Sequence, residues 1–144
     1  MNKAILITPL IVLTAICLFF LLFILLGKNP NDPPSALLNK NLPAFSSINL
    51  YNNEETLLSD SLKGNYTLIN FFASWCTPCR AEHHLFFKIK KEIPELFILG
   101  FSHKDDLSDS KKYLEEEGNP YSFVGIDSDG KIAFDFGVFG LPET

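Results

Sequence analysis

The chain has one long apolar run near its start, and its other apolar residues fall into short runs separated by polar ones. The long run extends from Ala4 to Leu26 without a charged residue, between Lys3 and Lys28. A helix rises about 1.5 Å per residue, so this run is long enough to cross a hydrocarbon core of about 30 Å. No A-x-A-like cleavage pattern follows it, so we predict an uncleaved signal-anchor over residues 1–28; a cleaved signal peptide is the alternative.

The short apolar runs predict strands. Residues 66–72 and 96–101 are nearly continuous apolar runs, which suit strands buried on both faces. Residues 121–124 predict a third, shorter strand. Before them, residues 42–50 alternate well enough for a strand that pairs with residues 56–58 in a hairpin.

Two segments between these strands have a helical pattern. Residues 77–91 follow the first buried strand. Residues 108–118 are predicted to form a second helix, with Ser108 as its N-cap and Gly118 as its C-cap. The order of strand, helix and strand predicts a βαβ unit with a parallel sheet. Residues 131–137 are ambiguous between a strand and a short helix.

Composition and charge limit the class of protein. The 144 residues, 47% of them hydrophobic, are enough for one domain, which we place at residues 42–144 after a proline-rich linker at residues 29–41. Lys3 and Lys28 nearly balance, and the simplest arrangement keeps the short N-terminal tail inside and exports the domain. Without Lys3 and Lys28, ten of the twelve basic residues remain against seventeen acidic ones, so the exported part has a net charge of about −7. This charge argues against nucleic acid as a partner.

The chemistry is concentrated in the segment W-C-T-P-C-R at residues 75–80, between the first buried strand and the first helix. Cys76 is thereby predicted to lie at a helix N-terminus, where free backbone N–H groups and the helix dipole favour a thiolate. Cys76 is the predicted attacking thiolate. Cys79, one turn further on and deeper, is the predicted resolving thiol of a redox-active disulfide.

Other functions of this cysteine pair have weaker support. His83 and His84 are close in sequence, but their spacing is not that of a zinc site and no second C-x-x-C is present. We predict no metal, and we expect His83 to be a helix-surface residue without a catalytic role. With Cys17 as the third cysteine, the chain has too few for a structural disulfide framework.

Five short motifs are spread over the chain after the apolar run. They are W-C-T-P-C-R-A-E-H at 75–83, K-D-D at 104–106, G-N-P-Y at 118–121, D-S-D-G at 127–130 and G-V-F-G-L-P-E-T at 137–144. Together they resemble the CcmG/DsbE family, the membrane-anchored thioredoxin-like proteins of cytochrome c maturation, from Pro43 to the end of the chain. The resemblance implies an α/β thioredoxin-like fold, with a mixed central sheet flanked by helices, a short helix over residues 131–137 and a cis-proline at Pro142 against the active-site disulfide.

The resemblance also implies roles for residues around the cysteines. Glu82 is three residues after Cys79, so on a helix it shares nearly the same face and is expected to accept or return the resolving thiol's proton. A solvated surface charge is the alternative for Glu82. The expected substrate groove includes an aromatic wall and residues on both sides of the disulfide: Trp75, Thr77, Pro78, Leu141, Pro142 and Glu143.

The predicted function is thiol-disulfide exchange as a reductant. By the resemblance, the substrate is the C-x-x-C-H haem-attachment motif of apocytochrome c, or a cytochrome c maturation protein carrying that disulfide. A membrane thiol-disulfide electron donor is expected to reduce the Cys76–Cys79 disulfide back to the dithiol. The chain is expected to cross the bacterial inner membrane once, with the domain on the periplasmic side. No cofactor is needed. The alternatives are a generic membrane-anchored thioredoxin-like reductase, a peroxiredoxin-type peroxidase, and a non-catalytic binding module of the haem-ligation machinery.

The family pattern continues beyond the cis-proline with a hairpin and a closing helix, and the sequence ends at Thr144. We therefore expect a truncated domain in which one face of residues 66–72 is left open.

Overall fold

The computed structural model describes residues 3–25 and 37–144, with side chains from Ile7 onwards in the first range. The chain divides into two compact units, Met1–Ser35 and Ala36–Thr144. Residues 26–36, which include most of the predicted linker, lie outside the described residues.

The first unit contains helix α1, Lys3–Leu25, with Pro9 near its start. Its residues Ile7–Leu25 are long and apolar enough to cross a membrane, judged by length and composition. Its described side chains are exposed throughout. A helix that is apolar on every side is typical of a large protein core or of a membrane span, and the described side chains of α1 are not buried within the structure.

The second unit is built on three parallel strands in the order β3-β4-β5. These are β3, Thr67–Phe72, β4, Phe97–His103, and β5, Phe123–Asp127. Thr67 pairs with Phe97, and Leu99 pairs with Phe123. The third strand begins two residues later than predicted. The reason is local: the side chain of Asn119 accepts the Tyr121 N–H in a turn, which delays entry into the sheet.

A hairpin lies before these strands, as predicted, although its strands are short. Strand β1, Ser46–Ile48, pairs antiparallel with β2, Thr56–Leu58, and a 3₁₀ turn follows at Ser59–Leu62. Ser47 fastens the hairpin to β5, because its hydroxyl accepts the Ile126 N–H at 2.8 Å and donates to the Ile126 carbonyl at 3.0 Å. Antiparallel bridges at Asn49–Gly125 and Phe71–Glu143 add to the edges of the parallel sheet, which makes the sheet mixed.

Helices connect the parallel strands. Helix α2, Thr77–Glu92, follows β3, and α3, Leu107–Glu117, follows β4. The predicted N-cap of α3 is wrong: Asp106 takes that place, and its carboxylate accepts the Ser108 N–H at 2.8 Å. Gly118 ends α3 with φ +86°, as predicted. Helix α4, Lys131–Asp135, resolves the ambiguous segment as a short helix.

Aromatic residues fill both sides of the sheet. On one side Phe72 stacks on Tyr121 with ring centroids 5.1 Å apart. On the other, Phe71 stacks on Phe101 at 5.1 Å, and Phe136 covers them both. The side chains in the first half of β3 are half-buried and those in its second half are buried, with Phe71 at 2% exposure. The open face on this strand stays a prediction.

Candidate active site

The loop between β3 and α2 is held by one carboxylate. Asp105, which follows β4, accepts the Ser74 N–H at 2.7 Å and the Ser74 hydroxyl at 2.8 Å. A hydroxyl from α3, that of Ser110, donates to the same carboxylate at 2.6 Å. The Ser74 backbone, two residues before Cys76, is thus linked through Asp105 to the end of β4 and to α3. These contacts limit where Cys76 can lie.

Cys76 is the N-cap of α2, as predicted, and forms a disulfide with Cys79. The Cys79 N–H donates to the Cys76 Sγ at 3.2 Å. Thr77 and Pro78 complete the first turn, where proline is tolerated because its missing N–H would have no intrahelical partner. Both sulfur-bearing residues are buried in this oxidised form, Cys76 at 4% and Cys79 at 2% exposure. A thiolate on Cys76 would therefore meet backbone N–H groups at a helix start, whereas Cys79 lies inside the helix.

Trp75 stands next to the disulfide and is 62% exposed. Its indole N–H donates to the Lys104 carbonyl at 3.5 Å. Lys104 follows β4 with φ +46°, and it also lines a cavity of about 200 Å³ with Phe139, Gly140 and Leu141. Trp75 thus presents an exposed, flat apolar face next to Cys76 in the chain. Its role as a wall of the substrate groove stays a prediction.

The segment after α4 approaches the same place from the other side. The Leu141–Pro142 peptide bond is cis, so the predicted cis-proline is confirmed. Leu141 packs against the core cluster that contains both cysteines. The Glu143 carbonyl accepts the Phe71 N–H at 2.8 Å, which lays this segment along the free edge of β3, while the Glu143 side chain is exposed.

Glu82 lies on α2 one turn after Cys79 and is half-buried. Its Oε1 accepts a hydrogen bond from the Asn70 Nδ2 at 3.2 Å. Burial raises the pKa of the Glu82 carboxyl, and the hydrogen bond from Asn70 opposes part of that rise. A carboxyl in this situation exchanges its proton nearer to neutral pH than an exposed one.

Sequence comparison agrees with this geometry. The DsbE thiol:disulfide interchange protein of Pseudomonas aeruginosa is 36% identical over 144 residues, which is 100% of this chain and 78% of DsbE. The chain belongs to the DsbE-type thiol:disulfide interchange proteins. Residues 38–144 also match the AhpC/TSA family. The CycY thiol:disulfide interchange protein of Rhizobium leguminosarum is 40% identical over 118 residues, covering 82% of this chain and 63% of CycY.

A crystal structure carries the same fold. It is that of a secreted Mycobacterium tuberculosis disulfide oxidoreductase homologous to Escherichia coli DsbE, with a TM-score of 0.62 and 20% identity over 68% of this chain and 71% of that one. The predicted thioredoxin-like fold, the resemblance to the DsbE family and the class of disulfide oxidoreductase are thereby confirmed.

The structure corrects the prediction for His83. This residue is 3% exposed, not on the helix surface, and its Nε2 lies 2.9 Å from the Gly118 carbonyl oxygen. Its ring packs among aromatic side chains, including Tyr113 at 5.1 Å and Phe87 at 5.6 Å. His84 is exposed instead. In the two described ranges, no group of three histidine, cysteine or acidic side chains is arranged to hold a metal ion.

Sequence reasoning missed two polar residues at this site. Asn70 is fully buried in β3, and the Tyr121 hydroxyl donates to its Oδ1 at 2.7 Å. The signal available was a lone asparagine within an apolar strand, since a buried carboxamide needs partners for its hydrogen bonds.

Proposed function

We propose that this chain reduces disulfides through Cys76 and Cys79. The observation that carries the proposal is the Cys79 N–H directed at the Cys76 Sγ, at the first turn of α2. In the reduced form, the Cys76 thiolate attacks a substrate disulfide, one substrate sulfur leaves as a thiolate, and a mixed disulfide forms. Cys79 then loses its proton and attacks the Cys76 Sγ, which releases the second substrate thiolate and restores the Cys76–Cys79 disulfide.

Glu82 is the proposed acceptor of the Cys79 proton. The two residues are one helical turn apart, and burial raises the pKa of the Glu82 carboxyl. A carboxylate with a raised pKa is a stronger base, so it takes a proton from a thiol more readily than an exposed glutamate does. When the dithiol is regenerated, the same carboxyl returns the proton.

The proposed direction of electron flow is from this chain to its substrate. A disulfide oxidant stabilises its reduced form through a strongly favoured thiolate. The acidic Glu82 near the cysteines disfavours additional negative charge, which works against the helix dipole and leaves the dithiol ready to give up electrons. This electrostatic balance supports a reductant.

The proposed substrate is the C-x-x-C-H disulfide of apocytochrome c, or of a cytochrome c maturation protein. The support is the shared motif set of the CcmG/DsbE family and the position of the exposed Trp75 beside the disulfide. The substrate polypeptide would lie in a groove bordered by the loop before α2, the first turn of α2 and the cis-proline segment. The residues are Trp75, Thr77, Pro78, Leu141, Pro142 and Glu143.

We further propose that α1 anchors the chain in the bacterial inner membrane as a single span, with the domain at residues 42–144 in the periplasm. Its length and composition support a membrane span. In an oxidising compartment the disulfide form would accumulate, so a membrane thiol-disulfide electron donor is required to restore the dithiol.

The reduction potential of the Cys76–Cys79 pair tests this function. The full chain in detergent is equilibrated with dithiothreitol or glutathione mixtures, and its thiols are trapped and counted. We expect a value nearer the roughly −270 mV of thioredoxin than the about −120 mV of a disulfide-forming oxidant. An oxidising potential would reverse the assigned direction.

A second measurement identifies the substrate. An oxidised C-x-x-C-H peptide should be reduced faster than an oxidised control peptide whose two cysteines have the same spacing in an unrelated sequence. Consumption of peroxide in place of peptide would indicate a peroxidase. Partner binding and physiological effect that survive the replacement of Cys76 and Cys79 by serine would indicate a binding module.

A further inference from the structure

Asn70 is a polar residue in the middle of an apolar sheet. It lies on β3 six positions before Cys76, with 0% exposure. A buried carboxamide costs free energy unless its donors and acceptor are satisfied. We therefore identify the groups that form hydrogen bonds with the Asn70 carboxamide.

Its hydrogen bonds connect three separate parts of the site. The Asn70 Oδ1 accepts the Tyr121 hydroxyl at 2.7 Å. The Asn70 Nδ2 donates to the Glu82 Oε1 at 3.2 Å. The same nitrogen reaches the cis-proline segment, at the Thr144 hydroxyl (3.0 Å) and the Glu143 carbonyl (3.3 Å).

Tyr121 decides which way the carboxamide points. A phenol O–H is the donor here, so it selects the oxygen end of Asn70 and leaves the nitrogen end for Glu82. The ring itself is clamped: it stacks on Phe72, and it lies so close to Gly100 that a Cβ there would be 2.8 Å from the ring. Burial raises the pKa of the Tyr121 phenol, so the hydroxyl keeps its proton throughout the working pH range.

We propose that Asn70 and Tyr121 are positioning residues for the resolving step, with Tyr121 orienting the Asn70 carboxamide and Asn70 holding the Glu82 carboxylate in place to receive the Cys79 proton. This inference rests on the proposed function. Neither residue touches the reacting sulfur atoms in the proposal; both act through Glu82.

The test separates the two chemical steps. The full chain carries Cys17→Ser in every variant, because Cys17 is a free exposed thiol that would also react. The reduced protein in detergent is mixed with one equivalent of dithiobis(nitrobenzoate), whose thiolate halves are coloured when released. Attack by Cys76 releases the first half and leaves the second bound in a mixed disulfide. Attack by Cys79 on the Cys76 Sγ then releases the second half, with the Cys79 proton passing to Glu82. The dithiol loses two electrons and the reagent gains them.

Tyr121→Phe is the most conservative variant, because it removes one hydroxyl. We expect the second phase of release to slow about tenfold while the first phase is unchanged, since positioned proton transfer contributes this much or more. Asn70→Leu should slow the second phase at least as much. The control is Tyr113→Phe: the Tyr113 hydroxyl is buried and, in the described part of the chain, has no hydrogen-bond partner. It should leave both phases unchanged.

The pH profile of the second phase adds a readout that a purely structural role would not change. The Asn70 hydrogen bond lowers the pKa of Glu82, so freeing the carboxamide should move the rise in rate to higher pH. Tyr113 and Tyr121 are titratable groups that interact with Glu82, and burial raises the pKa of both, so neither phenol ionises in this range.

A double variant shows whether the effect passes through Glu82. Glu82→Gln alone should slow the second phase, and adding Tyr121→Phe should slow it no further, because the two changes remove one shared interaction. Additive losses, an unchanged second phase in Tyr121→Phe, or equal slowing of both phases would overturn the positioning role.

The same experiment distinguishes a failure of the proposed function from a failure of the positioning role alone. If wild-type chain released one half of the reagent alone, or if Cys79→Ser still released both, the Cys76–Cys79 mechanism would be wrong and the positioning role would fall with it. Slowing of the second phase in Tyr121→Phe, Asn70→Leu and Glu82→Gln, with normal resolution in wild type, supports both the proposed function and the positioning role.

Discussion

Gly100→Ala is expected to destabilise the domain strongly, although it adds a single methyl group. Gly100 lies in the central strand β4, and an added Cβ would be 2.8, 2.9 and 2.9 Å from three atoms of the Tyr121 ring. Real Cβ contacts are longer, so the ring has to move. Phe72 stacks on it at 5.1 Å, and Phe86 lies at 5.8 Å, which leaves it little room.

The magnitude follows from two effects. Overpacking a well-packed core costs about 1–3 kcal/mol. Movement of the ring also breaks the 2.7 Å hydrogen bond from Tyr121 to Asn70, and a typical hydrogen bond contributes about 1 kcal/mol. We therefore expect the free energy of unfolding to fall by about 2–4 kcal/mol.

Urea unfolding of the oxidised full chain in detergent, followed by the fluorescence of Trp75, measures this change. Gly140→Ala is the matched control, because a Cβ there meets nothing within 4 Å. It should leave the stability unchanged or raise it by up to about 1 kcal/mol, through the lower entropy of the unfolded chain. A loss below about 0.5 kcal/mol for Gly100→Ala would refute the steric argument.

Three further results are expected. Cys79→Ser should accumulate a mixed disulfide on Cys76 with an oxidised peptide, detected by mass spectrometry, and continued turnover would contradict the assigned roles. Burial raises the pKa of Glu82, so its carboxylate destabilises the folded state above the unfolded-state pKa, and this penalty is absent below that pKa. Glu82→Gln should therefore raise the urea midpoint at neutral pH. A gain of equal size at about pH 3 would contradict burial of the charge as the cause. Asp127→Ala should lower the free energy of unfolding by about 3–5 kcal/mol, because this buried carboxylate accepts the Ile132 and Ala133 N–H groups and lies 2.8 Å from the His103 Nδ1. Asp129→Ala, which removes one exposed hydrogen bond from the Lys131 N–H, should cost about 1 kcal/mol or less in the same assay, and equal losses for the two variants would refute the role of the buried Asp127 carboxylate.

Local signals in the sequence were sufficient for the order of elements and for the reactive pair. Apolar runs predicted β3 and β4, and the strand-to-helix transition around C-x-x-C predicted Cys76 at the start of α2, where the structure has it. The resemblance to a known family added the cis peptide before Pro142 and the short helix α4, neither of which periodicity alone could decide.

Two predictions were wrong because they depended on contacts beyond the local sequence. Ser108 and Asp106 can both cap a helix, and the choice depended on the path of the loop after β4. His83 was placed on the surface because α2 was considered alone; the face that carries it meets α3 and the Gly118 carbonyl.

Local sequence patterns were therefore enough for β3, β4, α2 and α3, for the apolar segment near the start and for the thiol chemistry, because these depend on residues close together in the chain. The environment of Glu82 depends on tertiary packing. Asn70 and Tyr121 are 51 positions apart, and His83 and Gly118 are 35 apart. Such contacts depend on how the faces of packed elements meet, and side-chain periodicity specifies a buried face without specifying its partner.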